Sequence, residues 1–165
     1  MKHYLPKKIQ PRGPVRRIPA FHAVPMRVRA DGWTALRQAE FIGHLAETRS
    51  VAKAARAVSM GRESAYRLRK RDGAEGFNAA WDVALARLGS AKGQAQCAAA
   101  IEAARLALRP SRKVTLSHLQ WRMETGIWQV ILRAGRYRGV RRKPDNSALL
   151  ALLGRLPGPE AGLWP

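Results

Sequence analysis

Between Arg62 and Arg71 the chain reads RESAYRLRKR, with five basic residues in ten positions. Guanidinium groups at this density suit one kind of chemistry. Their planar forks match phosphate oxygens or the O6/N7 edge of guanine bidentately, which the compact ammonium of lysine does not. On a helix, Arg62, Glu63, Tyr66, Arg67 and Lys70 fall on an outward face, with Ser64 beside it and Arg69 and Arg71 toward its flank, while Ala65 and Leu68 point inward. In a major groove, Arg62 and Arg67 would read guanine edges and Lys70 and Arg71 would neutralise phosphates. The alternative is a helical hairpin with a solvated basic face.

Other chemistry finds no support in the residue pattern. His3, His22, His44 and His118 are scattered without metal-ligand spacing, and Cys97 is the sole cysteine, so one chain offers neither a thiolate zinc site nor a disulfide. No G-x-x-x-x-G-K-[ST] loop is present to cradle phosphates, and the 11 carboxylates form no acidic cluster of the two-metal kind. The expectation is a protein that is not an enzyme and has no cofactor or metal. The formal charge of +20, from 31 Lys and Arg against 11 Asp and Glu, favours a polyanionic partner, and double-stranded DNA is the one expected. An Arg- and Ala-rich composition also arises in GC-rich genomes. With no apolar run of about 18 residues, no membrane partner is expected, and with no apolar stretch behind the basic N-terminus, no secretory signal; the location expected is cytoplasmic, nucleoid-associated when bound.

The elements that must position the basic helix are legible on either side of it. Thr34 is placed to cap a helix carrying Phe41, Ile42 and Leu45 on one face, preceded by Trp33, and Ser50 to cap a second carrying Val51, Ala54, Ala55 and Val58. Two helices that cross closely need a small residue at their contact, and Ala55 supplies it. Four residues later a tight turn favours glycine; Ser59 stands there, with Gly61 two residues on, and Met60 plugs the space beneath. Phe77, Trp81, Leu85 and Leu88 then form a stripe on a fourth helix, read as core.

From Trp33 to Leu85 the chain resembles the helix-turn-helix region of phage small-terminase-like proteins and their bacterial relatives. The residues that carry the likeness are Ala54, Ala55, Arg56, Val58, Met60, Arg62, Ser64, Ala65, Tyr66 and Arg67, then Phe77, Ala80, Trp81, Asp82, Ala84 and Leu85. It implies DNA recognition without catalysis, in a tri-helical unit that transposases and site-specific recombinases also use. A homo-oligomer and a large-terminase-type partner would accompany a packaging role; a dimer on a palindromic site would accompany a transcriptional regulator.

Around this unit the expected organisation is as follows. Residues 1–30 contain five prolines and eight basic residues with no carboxylate, and read as a disordered basic arm, either lying on DNA or an inert tail. Residues 31–90 hold the helix-turn-helix domain. After a hinge at Gly89 to Gly93, an Ala-rich connecting helix within 91–110 packs either inside the chain or on a second copy. Residues 111–156 read as an extended segment, Val114 to Trp121, followed by a module in which a β-hairpin packs on a Leu-rich helix, the alternative being that this helix meets another chain. Ile127 to Leu132 and Arg136 to Val140 read as a hairpin around Arg133-Ala134-Gly135, and a Leu-rich helix follows, capped by Asp145 or Asn146. Arg136, Arg138, Arg141 and Arg142 line the hairpin and its exit, as a wing on DNA phosphates or as a charged edge that prevents aggregation. This part is similar to the C-terminal portion of helix-turn-helix proteins from alphaproteobacterial genomes, through Arg133, Gly135, Gly139, Val140, Arg141, Arg142, Asp145, Asn146, Leu149, Leu150, Leu152 and Leu153. Residues 157–165 read as a tail. The fold class expected is mainly α: a tri-helical helix-turn-helix core with Ala-rich helices, a small C-terminal β-hairpin and a short Leu-rich helix. The function expected is duplex-DNA recognition, and the alternative is a structural or interaction protein binding nucleic acid without sequence preference.

Overall fold

The computed structural model describes residues 17–27 and 29–157. Thr34 caps α1 (Ala35–Thr48) by accepting from the Arg37 N–H, and Ser50 caps α2 (Val51–Ala57) by accepting from the Lys53 N–H. Between them Arg49 adopts the left-handed conformation at φ 56° and extends its guanidinium 3.0 Å to the carbonyl of Ala86. That contact fixes the corner between α1 and α2 against Ala86. Helices α3 (Arg62–Arg69), α4 (Glu75–Leu85), α5 (Ala91–Leu108) and α6 (Leu116–Thr125) follow, then β1 (Ile127–Arg133), β2 (Arg136–Lys143) and α7 (Asn146–Leu153). The fold is therefore mainly helical with one antiparallel hairpin near the C-terminus.

One apolar core runs through it. Phe41 packs edge-on to Trp33 at 5.4 Å between centroids, tilted against Trp81 at 5.0 Å and stacked with Phe77 at 6.1 Å, so α1 and α4 meet through aromatic rings. Ala55, Ala65 and Leu68 are buried in the same cluster, and Val130 of β1 joins it. The hairpin thus rests on α1 instead of forming a separate module with the Leu-rich helix. At Gly43 of α1 a methyl group would overlap the ring of Tyr137, so this glycine lets β2 approach closely. The hairpin turn is the two residues Ala134 and Gly135, at φ 49° and 72°, the paired positive values that match the right-handed strand twist.

Four further expectations are corrected. The apolar stripe of α4 ends with its helix at Leu85, and Leu88 lies beyond it, although both pack on the core. Of Gly89 to Gly93, only Gly89 and Ser90 lie outside a helix: Ser90 caps α5, and Gly93 is a buried helical residue with no room for a side chain beside the Arg87 carbonyl. Gly93, Cys97, Ala100 and Ala104 are the buried face of α5, and its main packing partner is α4 of the same chain. Val114 to Trp121 is not extended; Thr115 caps α6 by accepting from the His118 N–H, and a capped turn with Leu119 buried outweighs the β-preference of Val114, Thr115 and Trp121.

The fourth correction concerns the basic arm. Its first sixteen residues lie outside the described ones, but residues 17–27 form an ordered strap. Ile18, Phe21, Ala23 and Val24 are buried. Phe21 exchanges backbone hydrogen bonds of 3.0 and 2.9 Å with Trp128, an antiparallel bridge to β1. Gln38, itself buried, accepts from the Val24 N–H at 2.7 Å and donates to the carbonyls of Val24 and Trp33, so the strap's backbone is satisfied without a full strand. The prolines exclude a helix but not this extended path.

Candidate nucleic-acid interface

The turn between α2 and α3 is built as close helix crossing requires. Ala55 is buried at the crossing, Val58 closes α2, and Ser59 takes the left-handed φ of 58° at the position where glycine is favoured. The Met60 N–H returns to the Ala55 carbonyl at 2.9 Å, and its side chain packs against the core. Trp33, buried before α1, donates from Nε1 to Ser64 Oγ at 3.2 Å, and that hydroxyl donates to the Gly61 carbonyl at 2.6 Å. Ser64 therefore pins the start of α3 to the core; it is a positioning residue more than a free contact.

The outward residues of α3 divide into two groups. Arg69 lies 2.5 Å from Asp82 Oδ1 and its guanidinium sits 5.2 Å from the Trp81 ring centre, so it ties α3 to α4. Arg62, Glu63, Arg67 and Lys70 are exposed, as is Arg71 just beyond the helix. Arg62 reaches Glu63 only at 3.4 Å and with both side chains in solvent, an ion pair worth little. Tyr66 leans on Trp81 with its ring centre 5.6 Å away and remains 43% exposed, so its edge is oriented but available.

On the hairpin, Arg136, Arg138 and Arg141 are exposed. Arg142 differs: its guanidinium donates to the carbonyls of Thr125, at 3.0 Å, and Glu124, capping the last turn of α6. Since the hairpin lies on α1, its arginines make a second basic surface and not a flap packed on α3.

A buried polar junction was not foreseen. Asp145 Oδ2 is 2.6 Å from His22 Nε2 and 3.2 Å from Arg122 Nε, while Oδ1 accepts from the Ala148 N–H at 3.0 Å. Arg122 also donates to the carbonyl of Leu108. Strap, α5, α6 and α7 are joined at this point. Burial and the Arg122 charge push His22 down to about 4 despite its bond to Asp145, so its ring is neutral at pH 7. Burial alone would raise Asp145, but the Ala148 N–H, His22 and Arg122 together hold it below the usual carboxylate range. Only the capping role of Asp145 was legible beforehand, because its partners lie 123 and 23 residues away.

Among the described residues there is no group of three His, Cys, Asp or Glu placed to hold a metal, and no helix long and apolar enough to cross a membrane. Compared with protein-family models, curated proteins and solved structures, the chain matches none.

Proposed function

We propose that the protein binds duplex DNA and reads its sequence through α3. The observation that carries this reading is the division of labour on that helix. Ala65, Leu68, Ser64 and Arg69 fix it to the body, while Arg62, Glu63, Tyr66, Arg67 and Lys70 stand outward and exposed. Eight residues span about 12 Å, a length that enters a major groove roughly 12 Å wide. There Arg62 and Arg67 pair with guanine, Glu63 accepts from cytosine N4, and Lys70 and Arg71 meet the flanking phosphates. Arg136, Arg138 and Arg141 add phosphate contacts that carry no sequence information. No catalytic step is assigned to the protein.

The biological setting we propose is DNA recognition for packaging, in the manner of the small-terminase-like proteins the chain resembles, or for transcriptional regulation. Self-association separates the two, since rings with a large-terminase-type partner belong to packaging and a dimer to regulation. Leu149, Leu150, Leu153 and Leu156, all exposed on or just after α7, support contact with a second copy. Selection of bound duplexes from a random pool at near-physiological salt tests the reading. Enrichment of a motif that disappears in the Arg62→Ala/Arg67→Ala variant is expected. Binding without any enrichment would leave a nonspecific polyanion binder.

A further inference from the structure

The C-terminal end of α3 opens into a groove of about 740 Å³ that the basic run alone does not define. Three distant segments wall it: Pro25 of the strap, Lys70 to Gly73 after α3, and Lys113 to Thr115 with His118 at the start of α6. Lys70, Arg71 and Lys113 bring three cations to its rim against one carboxylate, Asp72. All four side chains are exposed, so the charge is presented to solvent and not neutralised within the core.

The walls are held in place from behind. Gly73, at φ 78°, turns the chain so tightly that an added methyl would stand 3.0 Å from Pro25 and 3.9 Å from His118 Nε2. Pro25 directly follows Val24, whose backbone Gln38 clamps. Arg155 donates to the carbonyls of Ser111, Arg112 and Val114 and so fixes the loop that carries Lys113. Thr115 and His118 bring the first turn of α6, and with it the positive end of the helix dipole, to the same rim. A mobile cation contributes point charge alone; here the backbone that bears the cations is braced from three sides.

We infer that this groove seats a backbone phosphate of the duplex beside the bases read by α3, with Lys113 and His118 joining Lys70 and Arg71. The inference rests on the duplex-binding reading and adds to it a strand contact from α6, more than forty residues away from the recognition helix in sequence. A lone recognition helix can pivot in its groove; a phosphate held at its C-terminal end fixes the tilt.

The test uses the full chain and a mixed-sequence duplex, with affinity measured across salt concentrations. Lys113→Ala is expected to lower the slope of log K against log salt by about 0.9, and to weaken binding about fivefold at 0.15 M salt, as loss of one phosphate contact requires. Lys113→Glu should weaken it further. Base preference should survive both. The Lys113 side chain is exposed, so melting should be unchanged and misfolding does not confuse the result. In the unmodified protein, duplex should shift the His118 ring resonances. Slope and affinity equal to those of the unmodified protein would overturn the inference. So would His118 resonances that respond to inorganic phosphate but not to duplex, which would assign the groove to free anions. Failure of the α3 reading looks different: Arg62→Ala/Arg67→Ala would leave base preference untouched while Lys113→Ala still lowered the slope.

Discussion

Arginine does opposite work in two regions of this molecule. At the junction of the strap, α6 and α7, Arg122 is 3% exposed in its side chain and is matched by Asp145 and the Leu108 carbonyl. On α3, Arg62 has 61% of its side chain in solvent, and its ion-pair partner among the described residues is Glu63, which is 74% exposed. A buried guanidinium without partners would cost several kcal/mol, so its neighbourhood must be complete in the free protein. An exposed one costs nothing to leave open and keeps its donors for a ligand. Charge count alone therefore does not locate an interface. Arg69, Arg122 and Arg142 belong to the architecture; Arg62 and Arg67 stay exposed, as the proposed reading of DNA requires.

The comparison is tested most severely at Asp145. Asp145→Ala removes the partner of Arg122, the partner of His22 and the cap of α7 together. Unfolding in urea should show a loss of about 3–5 kcal/mol, the usual cost of leaving a buried charge uncompensated. A loss below about 1 kcal/mol would mean that the junction is as dispensable as a surface pair, and the distinction between the two regions would collapse.

Acid should reach the same junction next. His22 is held neutral in the folded protein at about 4, against 6.5 for an ordinary histidine, so the unfolded chain binds its proton first. Stability is then complete above pH 6.5 and falls as pH drops from 6.5 toward 4, by on the order of 3 kcal/mol for a shift of this size. Asp145, held below its ordinary value, adds a further loss at still lower pH, when its carboxylate is protonated. Denaturation midpoints measured between pH 7 and 4 should decline, and the decline should shrink in His22→Gln. An unaltered profile in that variant would remove His22 from the account.

The two regions also differ in how far sequence reveals them. Caps at Thr34 and Ser50, the small residue Ala55 and the outward basic face of α3 are all local, set by spacings of three or four residues, and the helical spacing exposes them directly. The strap owes its order to Trp128, Gln38 and Asp145, none of them near it in sequence, and five prolines in the first thirty residues suggest disorder. One signal was available: residues 18–26, IPAFHAVPM, contain no Lys, Arg, Asp or Glu within an otherwise basic segment. An uncharged apolar island of that kind is a docking segment and not a solvated tail. In α6, Thr115 with Leu116 and Leu119 behind it held the cap-and-stripe pattern, which β-branched and aromatic neighbours obscured. The site was legible as a helix, whereas the groove at its end was not, because Lys113 and His118 come from that unrecognised helix and its approach.

On the exposed side, Arg62→Ala and Arg67→Ala should each cost about 1–3 kcal/mol of discrimination between preferred and random duplexes. Their effect on folding stability should stay within about 0.5 kcal/mol, since neither is buried. Paired measurement of melting and of binding to selected and scrambled duplexes would check both halves. A fall in stability matching that of Asp145→Ala would place these arginines with the architecture. Retained discrimination would remove them from recognition.

The smallest expected effect falls on the turn that leads from α2 into α3. Ser59 holds φ 58° between α2 and α3, a conformation that costs an L-residue about 1–2 kcal/mol. Ser59→Gly removes that strain, while glycine's greater freedom in the unfolded chain offsets part of the gain. The side chain is exposed, and the N–H bond to the Arg56 carbonyl does not depend on it. A net stabilisation of about 0.5–1 kcal/mol in urea titration is therefore expected, with base preference unchanged because Ala55 and Trp33 still set the pose of α3. Destabilisation would show that the serine contributes more than backbone geometry. A changed base preference at constant stability would show that the turn adjusts the reading helix, and that α3 is less firmly fixed than Ser64 and Arg69 make it.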